Sequence, residues 1–132
     1  MASTPTYAAT PKSTVAQVTA ANTNRDGTGT IATIYTAGAS GSRIDRLNIK
    51  AAGTTTAGML RLFLHDGTNA RLLTEVAVFA LTPSATVKTF EATLEAYSTP
   101  SLMPLLLQTG YSLRASTHNA ETFNVVATGG DN

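Results

Sequence analysis

From Gly58 to Leu81 the alternation of apolar and polar residues predicts a long β-hairpin. Side chains of a strand point alternately to its two faces, so Leu60, Leu62 and Leu64 share one face of the first arm and Thr74, Val76 and Val78 the matching face of the second. A two-residue loop at Gly67-Thr68 would set Leu64 against Arg71 and mix polar with apolar positions. A three-residue loop, Gly67-Thr68-Asn69, instead pairs Leu64 with Leu72, Leu60 with Val76 and Arg61 with Glu75, which keeps both faces consistent and puts one ion pair cross-strand. Asn69 would then take the left-handed position.

Shorter alternating runs flank this hairpin. Thr14 to Ala20 and Thr28 to Thr36, joined by Asn22-Thr23-Asn24-Arg25-Asp26-Gly27, read as a second hairpin. Leu47, Ile49 and Ala51 alternate with Asn48 and Lys50, whereas Ile44 breaks the parity and predicts a bulge near Asp45-Arg46. A strand from about Thr86 to Ala96 turns Phe90, Ala92 and Leu94 inward and Glu91 and Glu95 outward. Pro100 and Pro104 interrupt residues 98–110, which read as a loop burying Leu105 to Leu107. Tyr111 to Ser116 and Phe123 to Ala127 are the last strands. About eight short strands at spacings near ten residues indicate an all-β fold, an antiparallel β-sandwich or jelly roll. Residues 1–13, rich in Pro, Thr and Ala with no amphipathic period, read as an extended arm that is disordered or lies on a neighbour, ahead of a single domain over 14–132.

Composition narrows the function. Only 13% of residues are charged, about half the globular average. A formal charge of +1 provides no basic field for nucleic acid or an anionic membrane. No cysteine is present, so neither disulfides nor thiolate metal sites contribute. One lysine in the first twenty-four residues and no long apolar run argue against a secretory leader or a membrane span, and for synthesis in the cytoplasm.

Candidate chemistry is sparse. Asn22-x-Asn24-x-Asp26-Gly27 matches the start of a calcium loop, but Thr33 stands where a bidentate Glu is needed, and an Asn/Gly turn explains the same letters. His65 and Asp66, adjacent in a strand, point to opposite faces, and His118 is remote in sequence. No Ser sits in a nucleophile elbow, and Glu91 and Glu95 are about 13 Å apart on one strand, too far for a glycosidase pair. The expectation is a non-enzyme without metal or cofactor. Arg43, Arg46, Arg61, Arg71 and Arg114 are the notable charges, with pairing to Asp45 and Glu75 the plainest role for them. The odd face of the hairpin, with Met59, Arg61, Phe63, Leu73, Glu75 and Phe79, is too apolar for water and predicts an oligomer interface or a covering layer.

Two segments carry a resemblance: Ser40 to Asn69, SGSRIDRLNIKAAGTTTAGMLRLFLHDGTN, and Gly110 to Asn132, GYSLRASTHNAETFNVVATGGDN, together about 40% of the chain. They resemble small virion structural proteins of tailed bacteriophages, and the chain's size and β-character are similar to capsid decoration, or cement, proteins. The resemblance implies a homo-oligomer, a trimer, on the outside of the phage head shell, with the major capsid protein as partner. On that basis Thr4, Pro5, Thr6, Tyr7, Pro11 and Lys12 of the arm are expected to contact the shell. The other readings are a receptor- or glycan-binding sandwich of a fibre, disfavoured by the absence of Trp and the presence of only four Tyr, and a tail or neck component.

Overall fold

The computed structural model describes residues 9–96 and 102–132. Among these, the chain forms nine strands: β1 (Thr10–Val18), β2 (Ala32–Thr36), β3 (Ser42–Ala51), β4 (Gly58–His65), β5 (Ala70–Val78), β6 (Glu91–Leu94), β7 (Leu105–Leu107), β8 (Ser112–Thr117) and β9 (Phe123–Asp131). One antiparallel sheet runs β1-β9-β3-β6, with β7 also on β3, and the other runs β2-β8-β4-β5. Consecutive strands change sheet at every connection except β4–β5 and β6–β7. With the three-residue β7 set aside, this is the interleaved eight-strand order of a jelly roll.

The core lies between the sheets. Ile44, Leu47, Ile49, Phe123, Val125 and Ala127 from one sheet meet Ile34, Leu60, Leu62, Leu113 and Ala115 from the other. Ile44 and Leu47 both reach it because the β3–β9 register slips between Ile44 and Arg46, the bulge expected at Asp45-Arg46. Phe90 and Leu94 point inward and Glu91 and Glu95 outward, as the alternation predicts, although β6 spans only four residues because Ser84 to Val87 closes a turn.

The central hairpin keeps part of its expected register. Leu60 faces Val76 and Arg61 faces Glu75, but Leu64 faces Arg71 rather than Leu72, and a bulge at Leu73 separates the two registers. The turn itself causes this. Asp66 Oδ1 accepts from the amides of Thr68 and Asn69 at 2.9 and 2.8 Å, and Gly67, at φ 96°, takes the left-handed position that had been expected at Asn69. Glycine adopts that conformation without a Cβ penalty, so the tight loop forms at Gly67-Thr68 and the surplus residue is absorbed at Leu73.

Three further expectations are corrected. β1 and β2 are not a hairpin: β1 pairs with β9 and β2 with β8, and they meet only across the sandwich, where Thr14 Oγ1 donates to Ile34 O at 2.8 Å. The connection between them, residues 19–31, is too long for a tight turn, and non-local pairing wins. Leu106 is 70% exposed, since three residues paired as a strand cannot all face inward, and only Leu105 and Leu107 turn toward the core. Residues 98–101 of that expected loop lie outside the described residues. Finally, β1 begins at Thr10, so residues 10–13 are strand, paired with 128–131.

The ladders also define the ends of the sandwich. The start of β1, the end of β9, loop 37–41, turn 66–69 and segment 108–111 gather at one end. Connections 19–31, 52–57, 79–90 and 118–122 leave from the other.

Candidate functional site

The odd face of the hairpin is covered in part by this chain itself. Residues 22–31 fold back over the outer side of β4 and β5, so that Gly27 abuts the carbonyl of Ala70. Asn22 braces the loop: its side-chain amide donates to the carbonyls of Thr28 and Thr30, both at 3.0 Å, and its Oδ1 accepts from the amide of Asn24. Beneath it Arg61, 2% exposed, donates through Nε to Glu75 Oε2 at 2.9 Å and through Nη1 to Asn22 O at 3.4 Å. Its Nη1 also reaches His118 Nδ1 at 3.3 Å, and because Arg only donates, that nitrogen is the acceptor. From the loop, Arg25 Nε donates to the same Glu75 oxygen at 2.7 Å. Two guanidiniums on one carboxylate hold Glu75 below its ordinary range, the hydrogen bond from Arg25 being the largest cause.

This arrangement sorts the residues expected at an interface. Arg61 and Phe63 are interior to the chain and unavailable to a partner, which corrects their assignment; alternation told which face they share but not what would cover it. Met59, Leu73 and Glu75 are half-buried. Phe79 alone of the six is well exposed, at 59%, with its ring edge-on to Phe90 at 5.1 Å. Asn22, Asn24 and Asp26, the residues with calcium-loop spacing, act instead as braces within the loop. Asp26 Oδ1 takes both the amide and the hydroxyl of Thr28, which lowers its pKa.

Thr4, Pro5, Thr6 and Tyr7 lie outside the described residues. Pro11 and Lys12 do not sit on a free arm but within β1, at the edge of its sheet. Lys12 Nζ reaches Asp131 Oδ2 at 3.3 Å and stands 4.9 Å from the centre of the Tyr35 ring. Asp131 Oδ1 accepts from Ser42 Oγ at 2.6 Å and from Tyr35 Oη at 2.8 Å. This knot ties β1, β2, β3 and β9 together where the N-terminal segment departs. Sequence reading missed it, because Asp131 follows two glycines near the chain's end and only the β9 ladder carries it to Tyr35.

The knot predicts a pH response at both extremes. Hydrogen bonds, first from Ser42 and then from Tyr35, lower the pKa of Asp131, and amides of Asn69 and Thr68 do the same for Asp66. A carboxyl lowered on folding stabilises the native state only while ionised, so that contribution is complete above the unfolded pKa of about 4 and is lost as pH falls through the lower folded value. Tyr35 moves the other way: burial, then the Asp131 carboxylate, push it up to about 12. Its contribution is complete below about pH 10 and is lost as pH rises toward that folded value. Thermal midpoints followed by circular dichroism should be flat near neutrality, fall below about pH 4, and fall again above about pH 10. Asp131→Asn should reduce the acid dependence.

No family model matches the chain, and no curated protein matches it. Two solved chains do. One, a pentameric capsid protein isolated from metagenomic phage sequences, superposes with a TM-score of 0.41 at 12% identity over 88% of this chain and 59% of its own. The present chain thus spans less than two thirds of that protein. The jelly-roll assignment rests on strand order and stands without this likeness.

Proposed function

We propose that the chain is a non-enzymatic structural protein of a tailed-phage virion, a decoration protein on the outer surface of the head shell that stabilises contacts between capsomers. The observation that carries this reading is the jelly-roll order, an architecture shared by viral capsid and lectin domains, in a chain whose N-terminal segment leaves from one loop-bearing end. Fold alone does not choose between those two uses. The sequence resemblance favours the virion, and among the described residues exposed aromatic surface for a lectin platform is sparse: Tyr35 is buried, Tyr111 half-exposed and only Phe79 well exposed. In this reading residues 1–8, with loops 37–41, 66–69 and 108–111, lie on the major capsid protein. Burial on the order of 1,000 Å² per contact, repeated by symmetry, would hold neighbouring capsomers. Copies associate as trimers, with Phe79 the anchor retained from the sequence reading, and mass photometry of the free protein reads that state.

The test is deletion of residues 2–8. Removing 2–13 would also take four residues of β1, Lys12 among them, confounding binding with folding. The shorter deletion should leave the thermal midpoint nearly unchanged and reduce occupancy on purified shells by about tenfold or more, the cost of losing one modest set of contacts. Undiminished occupancy would remove the segment from the interface.

A further inference from the structure

A cleft of about 240 Å³ opens between the 26–31 stretch and the tip of the β4–β5 hairpin. We infer that it binds a carboxylate presented by an acidic segment of a protein partner. Its charged and donor groups are Arg71, Arg114, His65, Thr28 and Thr68, with Asp26 also on its wall.

The two guanidiniums carry the argument. Arg114 donates through Nε to Ser112 Oγ at 3.0 Å, and neither it nor Arg71 forms an ion pair among the described residues. By contrast Arg25, Arg43 and Arg61 each hold a carboxylate at 2.7 to 2.9 Å. Asp66 lies within electrostatic reach of Arg71 but forms no ion pair with it, its Oδ1 holding the amides of Thr68 and Asn69, and Asp26 on the cleft wall has one oxygen occupied by both groups of Thr28. His65 accepts the amide of Gly67 on Nδ1 at 3.1 Å, so in the neutral ring Nε2 bears the proton and is a further donor. The wall is therefore rich in donors, and two planar forks suited to bidentate oxyanion recognition are left over.

The same geometry selects among oxyanions. Phosphate sites rely on free backbone amides, and four amides near this rim are already engaged: Thr28 with Asp26, Gly67 with His65, and Thr68 and Asn69 with Asp66, which leaves the loop glycines Gly27 and Gly29 as the backbone donors. The ionised Asp26 and Asp66 nearby would also repel a doubly charged group more than a singly charged one. A sugar acid would want an aromatic face, and Ile31 and Ala70 are the larger apolar elements here. What remains is a Glu or Asp side chain entering an open cleft. The cleft includes residues of the hairpin tip, the end of the sandwich from which the N-terminal segment departs.

The experiment uses the full chain, labelled with ¹⁵N. Acetyl-Ala-Glu-Glu-Ala-amide is titrated while the Arg71 and Arg114 side-chain Nε–H and the Thr28 amide signals are followed. Those signals should move saturably, and the Gln-containing counterpart should bind at least about tenfold more weakly. Arg71→Gln, at an exposed site that does not threaten folding, should weaken the Glu peptide by a similar factor, whereas Arg46→Gln on the other sheet should not. Arg114→Lys keeps the charge of a half-buried position and should retain part of the binding. Equal response to the Glu and Gln peptides, no response, or unchanged affinity in Arg71→Gln overturns the proposal. Tighter binding of inorganic phosphate, or of galacturonate, than of the peptide at these signals overturns the assignment to a protein carboxylate. The titration reads the cleft alone, so its failure is distinct from a loss of shell occupancy.

Discussion

Gly129→Ala should be severely damaging for a single added methyl, lowering stability by about 3 kcal/mol or more, at or beyond the upper range for overpacking. A Cβ at Gly129 would overlap the carbonyl of Arg43 and crowd Ile44 Cα, backbone against backbone, so no side-chain rotation can relieve it. The crowding arises where the β3 bulge brings the two strands together, Gly129 lying opposite Ile44 at the register slip. Relief would require β9 to move away from β3, and β9 is the strand on which both β1 and β3 pair. Gly53→Ala is the control. Its Cβ would meet nothing within 4 Å and its φ is not left-handed, so it should be neutral or slightly stabilising, by about 0.5 kcal/mol, through loss of unfolded-chain entropy. Thermal unfolding of the two variants separates the predictions. A Gly129→Ala midpoint within a degree or two of the parent's would mean that the β3–β9 contact yields far more easily than its geometry implies.

Arg61→Ala should cost about 3 kcal/mol, because it removes a buried cation that organises three elements at once. The Asn22 carbonyl and His118 Nδ1 would lose their donor, the volume beneath loop 22–31 would empty, and Glu75 would keep only Arg25. Arg25 is largely exposed, and Arg25→Ala should cost less than about 1 kcal/mol, the range of surface pairs. Arg61→Met, which keeps the stem's packing, should fall between them. Hydrogen exchange at Asn24 and Thr28, whose amides are bonded within the loop, gives a local readout: release of the loop should accelerate it in Arg61→Ala well beyond the global change. Equal losses in Arg61→Ala and Arg25→Ala would sink the view that Arg61 pins the loop.

Much of this molecule was legible from alternation. Period-two patterning located the Leu60/Leu62 face, the inward Phe90 and Leu94, and the parity break at Ile44, because each depends only on which side of a strand a residue occupies. The Arg61–Glu75 pairing followed from the same constraint, since only one register keeps both arms of the hairpin two-faced. Turn chemistry was harder to read. Gly67 and Asn69 both tolerate the left-handed region, and the deciding factor was the Asp66 carboxylate closing on two amides.

The partnerships were decided by tertiary structure. Nothing local distinguishes a β1–β2 hairpin from two edge strands of opposite sheets, because the choice lies in the ladders that β9 and β8 offer from a hundred residues and eighty residues away. The odd face of the hairpin shows the same division. Its sequence determined that something must cover Arg61 and Phe63, since that much apolar surface and one charge cannot face water together. That residues 22–31 of the same chain close over Arg61 and Glu75 followed only when Asn22 and Arg25, read locally as part of a turn, folded onto a strand pair distant in sequence. The assignments of Arg71 and Arg114 to one cleft and of Asp131 to Tyr35 arose in the same way. Alternation sets which face a side chain takes, and non-local strand pairing sets what that face meets.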